Sequence, residues 1–241
     1  MKIAAIQMNT GDDVEKNVER ALFLIERANA ELIVLPEVFS HITRYDDGTI
    51  LPRIQGKAAE KGCWIAGSLL REKYNTAFLI NPGGKIHALY RKIHLFDVPG
   101  LGSESSYMKA GNEIVTTDMN GFRIGFAICY DLRFPALFHT LAREGADILC
   151  CPAAFTKLTG EAHWHILNRA RAIETTRFVV SACATGPVPG GGETYGHSLI
   201  IDPWGRVLAD GGRDKGIISA TIDLDMVAAT QSRIPSLNNA R

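Results

Sequence analysis

Strand-like apolar runs outnumber helical ones along this chain and recur at short intervals. Candidate strands fall at 2–7, 32–35, 64–70, 77–80, 85–91, 113–119, 122–128, 147–151, 178–184, 197–202, 206–209 and 216–223. Helical periodicity is rarer. A first helix follows a capping Asp12 or Asp13, with Val14, Val18, Ala21, Leu22, Ile25 and Ala28 as its apolar stripe. Others are expected at 55–61, 134–144, 161–177 and 224–232. So few helices cannot cover both faces of one sheet. Two mixed sheets packed face to face, each with helices outside, would bury every apolar face. The expected fold is therefore α/β, a four-layer α-β-β-α sandwich. Turn signals at Asn81-Pro82-Gly83-Gly84, Asn120-Gly121 and Pro203-Trp204-Gly205 fit the strand-rich reading. No linker or low-complexity tract divides the chain, so residues 1–241 read as one domain.

Charge narrows the function. The chain has 241 residues, with 26 basic and 26 acidic side chains. That balance points away from nucleic acid or an anionic membrane as partner. No apolar run is long enough to span a bilayer. The segment from Met1 reads as a strand and not as a signal peptide. The five cysteines, Cys63, Cys129, Cys150, Cys151 and Cys183, are odd in number and form no CxxC pair. They suit reduced thiols in the cytoplasm rather than a disulfide framework.

Three reactive residues each sit just beyond a strand-like run. Glu37 follows 32–35 through Pro36, Lys92 follows 85–91, and Cys129 follows 122–128 in Ile128-Cys129-Tyr130-Asp131-Leu132-Arg133-Phe134-Pro135. A side chain at a strand-to-helix corner can point into a pocket, where a nucleophile belongs. Strand ends along one edge of a sandwich can converge on one such pocket.

Here the chain resembles the nitrilase superfamily of carbon–nitrogen hydrolases. Leu35-Pro36-Glu37, Tyr90-Arg91-Lys92-Ile93-His94-Leu95-Phe96-Asp97 and the Cys129 motif carry the likeness. Pro152-Ala153-Ala154-Phe155-Thr156, Ala162-His163-Trp164, Arg169-Ala170-Arg171-Ala172-Ile173-Glu174, Tyr195-Gly196-His197-Ser198 and Asp202-Pro203-Trp204-Gly205 extend it in the same order. The resemblance implies Glu37 as general base, Lys92 as oxyanion stabiliser and Cys129 as nucleophile. Glu104, in Ser103-Glu104-Ser105, matches a second carboxylate that orients the lysine. The stretches after Thr159 look most similar to the omega-amidase and deaminated-glutathione-amidase branch. That branch implies a small carboxylate-bearing amide as substrate, no cofactor and a homodimer. Ala136 departs from the acidic residue that often follows Arg-Phe-Pro, and the span from Glu37 to Lys92 is short.

The chemistry is self-consistent. A free thiol is largely protonated at neutral pH, with a pKa of about 8.5. Glu37 can take its proton and hand it to departing ammonia. The Lys92 ammonium and the backbone N–H of Tyr130 can meet the negative charge that attack places on the former carbonyl oxygen. Nitrile or N-carbamoyl cleavage would use the same residues, and a silent scaffold protein would use none of them.

Other features read more plainly. Cys63, Cys150, Cys151 and Cys183 look like core thiols. Arg133 could bind a substrate carboxylate, pair with Asp131 or cap local backbone. Phe155 and Thr159 are candidate pocket residues by family position. His163 and His165 are two apart and diverge on a helix, so no metal site is expected there. Gly190-Gly191-Gly192 lacks the lysine and hydroxyl residue of a phosphate loop; residues 186–193 read as a mobile loop near the pocket. Arg169, Arg171 and Glu174 read as a structural network.

Overall fold

A computed structural model describes residues 1–239. Along the chain the elements are β1 (Lys2–Gln7), α1 (Val14–Arg27), β2 (Leu32–Val34), α2 (Ile50–Lys61), β3 (Trp64–Arg71), β4 (Tyr74–Ile80) and β5 (Ile86–Arg91). Two short strands, β6 (Asp97–Val98) and β7 (Gly102–Ser103), precede β8 (Thr116–Met119), β9 (Phe122–Phe126), α3 (Pro135–Arg143), β10 (Ile148–Cys150) and α4 (Lys157–Thr175). The remainder is β11 (Phe178–Ser181), β12 (Thr185–Pro187), β13 (Glu193–Tyr195), β14 (Leu199–Ile201), β15 (Val207–Asp210), β16 (Gly216–Thr221), α5 (Asp225–Arg233) and α6 (Ser236–Asn239).

One sheet has the order β16-β1-β2-β3-β4-β5, the other β15-β14-β11-β10-β9-β8. Both mix parallel and antiparallel pairs. Period-two alternation builds the layers. Ile3 and Ala5 face the core between the sheets, as do Ile148 and Cys150. Their neighbours Ala4 and Ile6 face outward onto Val18, Ala21 and Ile25 of α1 and Ile54 and Ala58 of α2. On the far side Leu149 and Cys151 pack under Leu137, Phe138 and Leu141 of α3 and Trp164 of α4. The four expected layers are present.

Several boundaries differ from the sequence expectation. α2 begins at Ile50, not at 55, because Pro52 sits in the first helical turn, where its missing N–H costs nothing. α4 begins at Lys157, ahead of the expected 161, and takes Gly160 into its first turn. The Tyr195 ring lies so close that a Cβ at position 160 would stand 2.3 Å from it, which explains a glycine inside a helix. Residues 186–193 are not a featureless loop: β12 and β13 pair as a hairpin, Thr185 opposite Tyr195. The β6–β7 pair and α6 carry no periodicity signal, being too short to show one. The Arg171 guanidinium bonds Glu174 at 2.6 Å and the Leu132 carbonyl at 2.9 Å, a structural network as expected.

Topology sets where the site lies. β2 is parallel to β3, and β5 returns to that direction after the antiparallel β4. The C-terminal ends of β2 and β5 therefore share one edge of the first sheet. β9 and β10 run parallel in the second sheet, so their C-terminal ends share an edge too. The chain just beyond these four ends carries Glu37, Lys92, Cys129 and Ala154.

Candidate active site

Glu37 lies three residues beyond β2 and is 3% exposed. One carboxylate oxygen accepts from Lys92 Nζ at 2.9 Å and from Asn75 Nδ2 at 2.8 Å. The other accepts the Ala154 backbone N–H at 2.7 Å. Three donors from three segments thus fix the carboxylate.

Lys92 continues β5 by one residue. Its N–H donates to the Asn75 carbonyl at 2.9 Å, and its carbonyl accepts from Gly111 at 2.7 Å. Gly111 must be glycine here: a Cβ would lie 2.2 Å from the Arg91 carbonyl oxygen. The Lys92 side chain is 1% exposed, so it is no solvated surface charge. Its ammonium bridges Glu37 and Glu104, at 2.9 Å to each. Glu104 is held in turn by the Phe96 N–H at 2.7 Å, and the β6–β7 pair brings the two together. Burial works against the Lys92 charge, but Glu37 and Glu104 outweigh it and hold its pKa well above the ordinary lysine value. Burial pushes the Glu104 carboxyl up, and the Lys92 charge only partly restores it.

Cys129 follows β9 at the turn into α3 with φ +46°, a left-handed conformation rare for a side-chain-bearing residue. Holding it costs about 1–3 kcal/mol. Asp131, fully buried, anchors the turn. One of its oxygens accepts the Ile128 N–H at 2.8 Å and the Tyr90 hydroxyl at 2.7 Å. The other accepts the His94 N–H at 3.0 Å and His94 Nδ1 at 2.7 Å. The Cys129 N–H donates to the Pro152 carbonyl at 2.9 Å. Asp131 thereby ties the thiol-bearing turn to Tyr90 and His94, which flank Lys92. Replacing Asp131 by asparagine would turn two of those acceptor positions into donors facing donors. The expected loss is about 2–3 kcal/mol of stability, read as a lower urea midpoint with unchanged slope.

Desolvation raises the Cys129 thiol pKa well above its ordinary value; the Glu37 charge and a hydrogen bond to Glu37 add to this, and Lys92 opposes it. At neutral pH the thiol keeps its proton. Cys63, Cys150, Cys151 and Cys183 are buried core thiols, as the sequence suggests.

Glu37, Lys92, Glu104 and Cys129 border a cavity of about 600 Å³. Tyr130, Arg133, Phe155 and Thr159 line it as well, so every predicted site residue reaches one space. The Tyr130 N–H lies in the first turn of the short helix Cys129–Arg133, where intrahelical acceptors are lacking. Arg133 neither pairs with Asp131 nor caps local backbone, since Asp131 is saturated by other donors. Its guanidinium stands 3.3 Å from His163 Nδ1 and over the Phe155 ring at 5.1 Å. The β12–β13 turn, with Gly190-Gly191-Gly192, forms part of the rim.

Asn75, Ala154 and Asp131 escaped the sequence reading of the site. Asn75 sits inside an ordinary strand pattern, and Ala154 contributes only a backbone N–H. Asp131 stood within the cysteine motif, which was its one visible signal. The buried Asn75 Oδ1 has no partner among the described residues.

The carbon–nitrogen hydrolase family model matches residues 2–232. A deaminated glutathione amidase of Dictyostelium discoideum is 37% identical, covering 100% of this chain and 94% of that protein. The omega-amidase NIT2 of Homo sapiens is 32% identical, covering 100% and 95%. The crystal structure of Saccharomyces cerevisiae Nit3, a member of branch 10 of the nitrilase superfamily, superposes with a TM-score of 0.87 at 29% identity, over 98% of this chain and 94% of that one. The thiol, the ammonium and the paired carboxylates thus stand in a fold and a sequence background that agree, and the chain belongs to the carbon–nitrogen hydrolase family within the nitrilase superfamily.

Proposed function

We propose that this cavity hydrolyses the terminal amide of a small carboxylate-bearing molecule to the acid and ammonia, through a thioester on Cys129. The observation that carries the reading is the Glu37 carboxylate, 2.9 Å from the Lys92 ammonium, on a cavity that the Cys129 thiol also lines. Glu37 takes the thiol proton as sulfur attacks the amide carbon. The carbon–oxygen π pair moves onto oxygen, where Lys92 and the Tyr130 N–H meet the new charge. The tetrahedral species collapses, the C–N bond breaks, and Glu37 returns the proton to nitrogen so that ammonia leaves. Glu37 then draws a proton from water, whose oxygen attacks the thioester; the C–S bond breaks, the acid leaves, and Glu37 returns the proton to sulfur. Asn75 and the Ala154 N–H hold the Glu37 carboxylate in register through both halves.

Arg133 brings a guanidinium to the cavity lining and suits a substrate carboxylate, and Phe155 and Thr159 line the cavity as well. The relatives named as deaminated glutathione amidase and omega-amidase support such a substrate. Ammonia release across a panel of omega-amides of oxo-acids, with deaminated glutathione included, tests the reading. Turnover of carboxylate-bearing amides above their neutral counterparts is expected. Absence of turnover throughout the panel would defeat the proposal.

We further read residues 1–241 as one catalytic domain, supported by the core that the two sheets share. No described helix is long and apolar enough to cross a membrane. The five free cysteines support a reducing compartment, the cytoplasm. A homodimer is favoured by α4, whose Leu158, Ile166 and Ile173 are 70%, 68% and 47% exposed. Their spacing puts them within one arc of the helix. Light scattering is expected to give about twice the 26.3 kDa chain mass; a monomer mass would refute this arrangement.

A further inference from the structure

We propose that His165, His197 and Asp210 form a binding site for a zinc-class transition metal ion, separate from the catalytic cavity. None of the three lines that cavity. His165 Nε2 stands 3.0 Å from Asp210 Oδ2, and His197 Nδ1 stands 2.9 Å and 3.2 Å from the two carboxylate oxygens. All the ligand atoms lie within 4.8 Å of one another. In tetrahedral zinc, with ligands about 2.0–2.2 Å from the ion, neighbouring donor atoms lie about 3.3–3.5 Å apart. The three groups need only small shifts to reach that spacing. Two imidazoles and a carboxylate are a donor set that Zn²⁺, Co²⁺ and Ni²⁺ accept, with a fourth position left for water.

The donors are held before any ion arrives. His165 projects from α4, His197 lies between β13 and β14, and Asp210 ends β15. His197 has φ +51°. Its N–H donates to the Gly212 carbonyl at 2.6 Å, and its carbonyl accepts from Trp164 Nε1 at 2.7 Å. Asp210 accepts the Gly212 N–H at 2.9 Å. The Tyr195 ring stacks on His197 at 4.5 Å and meets His165 edge-on at 6.0 Å, which restricts both imidazoles. Partial burial pushes the Asp210 carboxyl up, but the His165 and Gly212 hydrogen bonds and the His197 ring bring it below the usual carboxylate value. On binding, each neutral imidazole turns a lone pair to the ion and carries its proton on the other nitrogen. A protonated ring releases one proton instead. His163 and His165, two apart on α4, diverge: His163 goes to Arg133, His165 to this cluster.

Full-length protein stripped with a chelator is titrated with Zn²⁺ by calorimetry and with Co²⁺ by visible absorption. One ion per chain is expected, with tetrahedral cobalt bands and a rise in melting temperature, because only the folded chain presents the three donors together. His165→Gln and Asp210→Asn should each weaken binding at least tenfold. Cys129→Ser should leave it unchanged, which separates this site from metal captured by the catalytic thiol. Absence of stoichiometric binding, binding that survives both cluster variants, or binding lost in Cys129→Ser would each overturn the proposal.

Discussion

Lys92→Met is expected to cost both activity and stability, more than any other single replacement in the cavity. Among the described residues the ammonium stands 2.9 Å from the buried Glu37 carboxylate and 2.9 Å from the part-buried Glu104 carboxylate. Methionine fills its volume and leaves Glu37 and Glu104 facing each other without it. Removing one partner of a buried ionic group typically costs about 3–5 kcal/mol. For a chain of this size that corresponds to a fall in melting temperature of roughly 10 °C. With Lys92 as the proposed oxyanion donor, its loss is expected to lower kcat by about 10²–10³. The pH dependence follows in sign. Burial already raises the Glu104 carboxyl, and without Lys92 it rises further. A folded-state carboxyl pKa above its unfolded value weakens the fold as pH climbs past the unfolded value. The variant's stability deficit is therefore larger at pH 8 than at pH 5. Thermal melts at both pH values, with steady-state ammonia release, check this. A normal melting temperature with near-normal turnover would remove Lys92 from the proposed mechanism.

Cys129→Ala separates chemistry from architecture. Alanine keeps the left-handed backbone at 129 under the same strain as cysteine, and Asp131 still anchors the turn. The loss of one sulfur at a cavity wall leaves stability close to that of the parent. Turnover, by contrast, should fall by about 10⁴-fold or more, because in the proposed mechanism nucleophile and base act as one unit. Intact-mass measurement under slow turnover should show one acyl adduct on the parent and none on the variant. Retained ammonia release by Cys129→Ala would show that another group attacks the carbonyl.

Part of this picture was legible in the residues alone. Alternating apolar runs fixed the strands and the four layers, because a sheet with two buried faces requires covers on both sides. Glu37, Lys92 and Cys129 were visible because each follows a strand-like run and sits in a distinctive local motif. Glu104 was visible only by its place in the family pattern. Asn75 and Ala154 were not, since an amide within a strand and a backbone N–H carry no pattern. The start of α4 was misplaced for a similar reason: a glycine looks like a boundary until the Tyr195 ring is seen against it.

The sequence by itself determined the chemical inventory and the layered fold, both of which depend on residue type and short-range period. Tertiary structure alone decided which groups share a space. Glu37, Lys92 and Cys129 lie far apart along the chain, and their meeting depends on strand direction and sheet order. The same holds for His165, His197 and Asp210, which three elements bring to one corner. Distances between remote residues are set by packing of the whole core, and no local pattern encodes them.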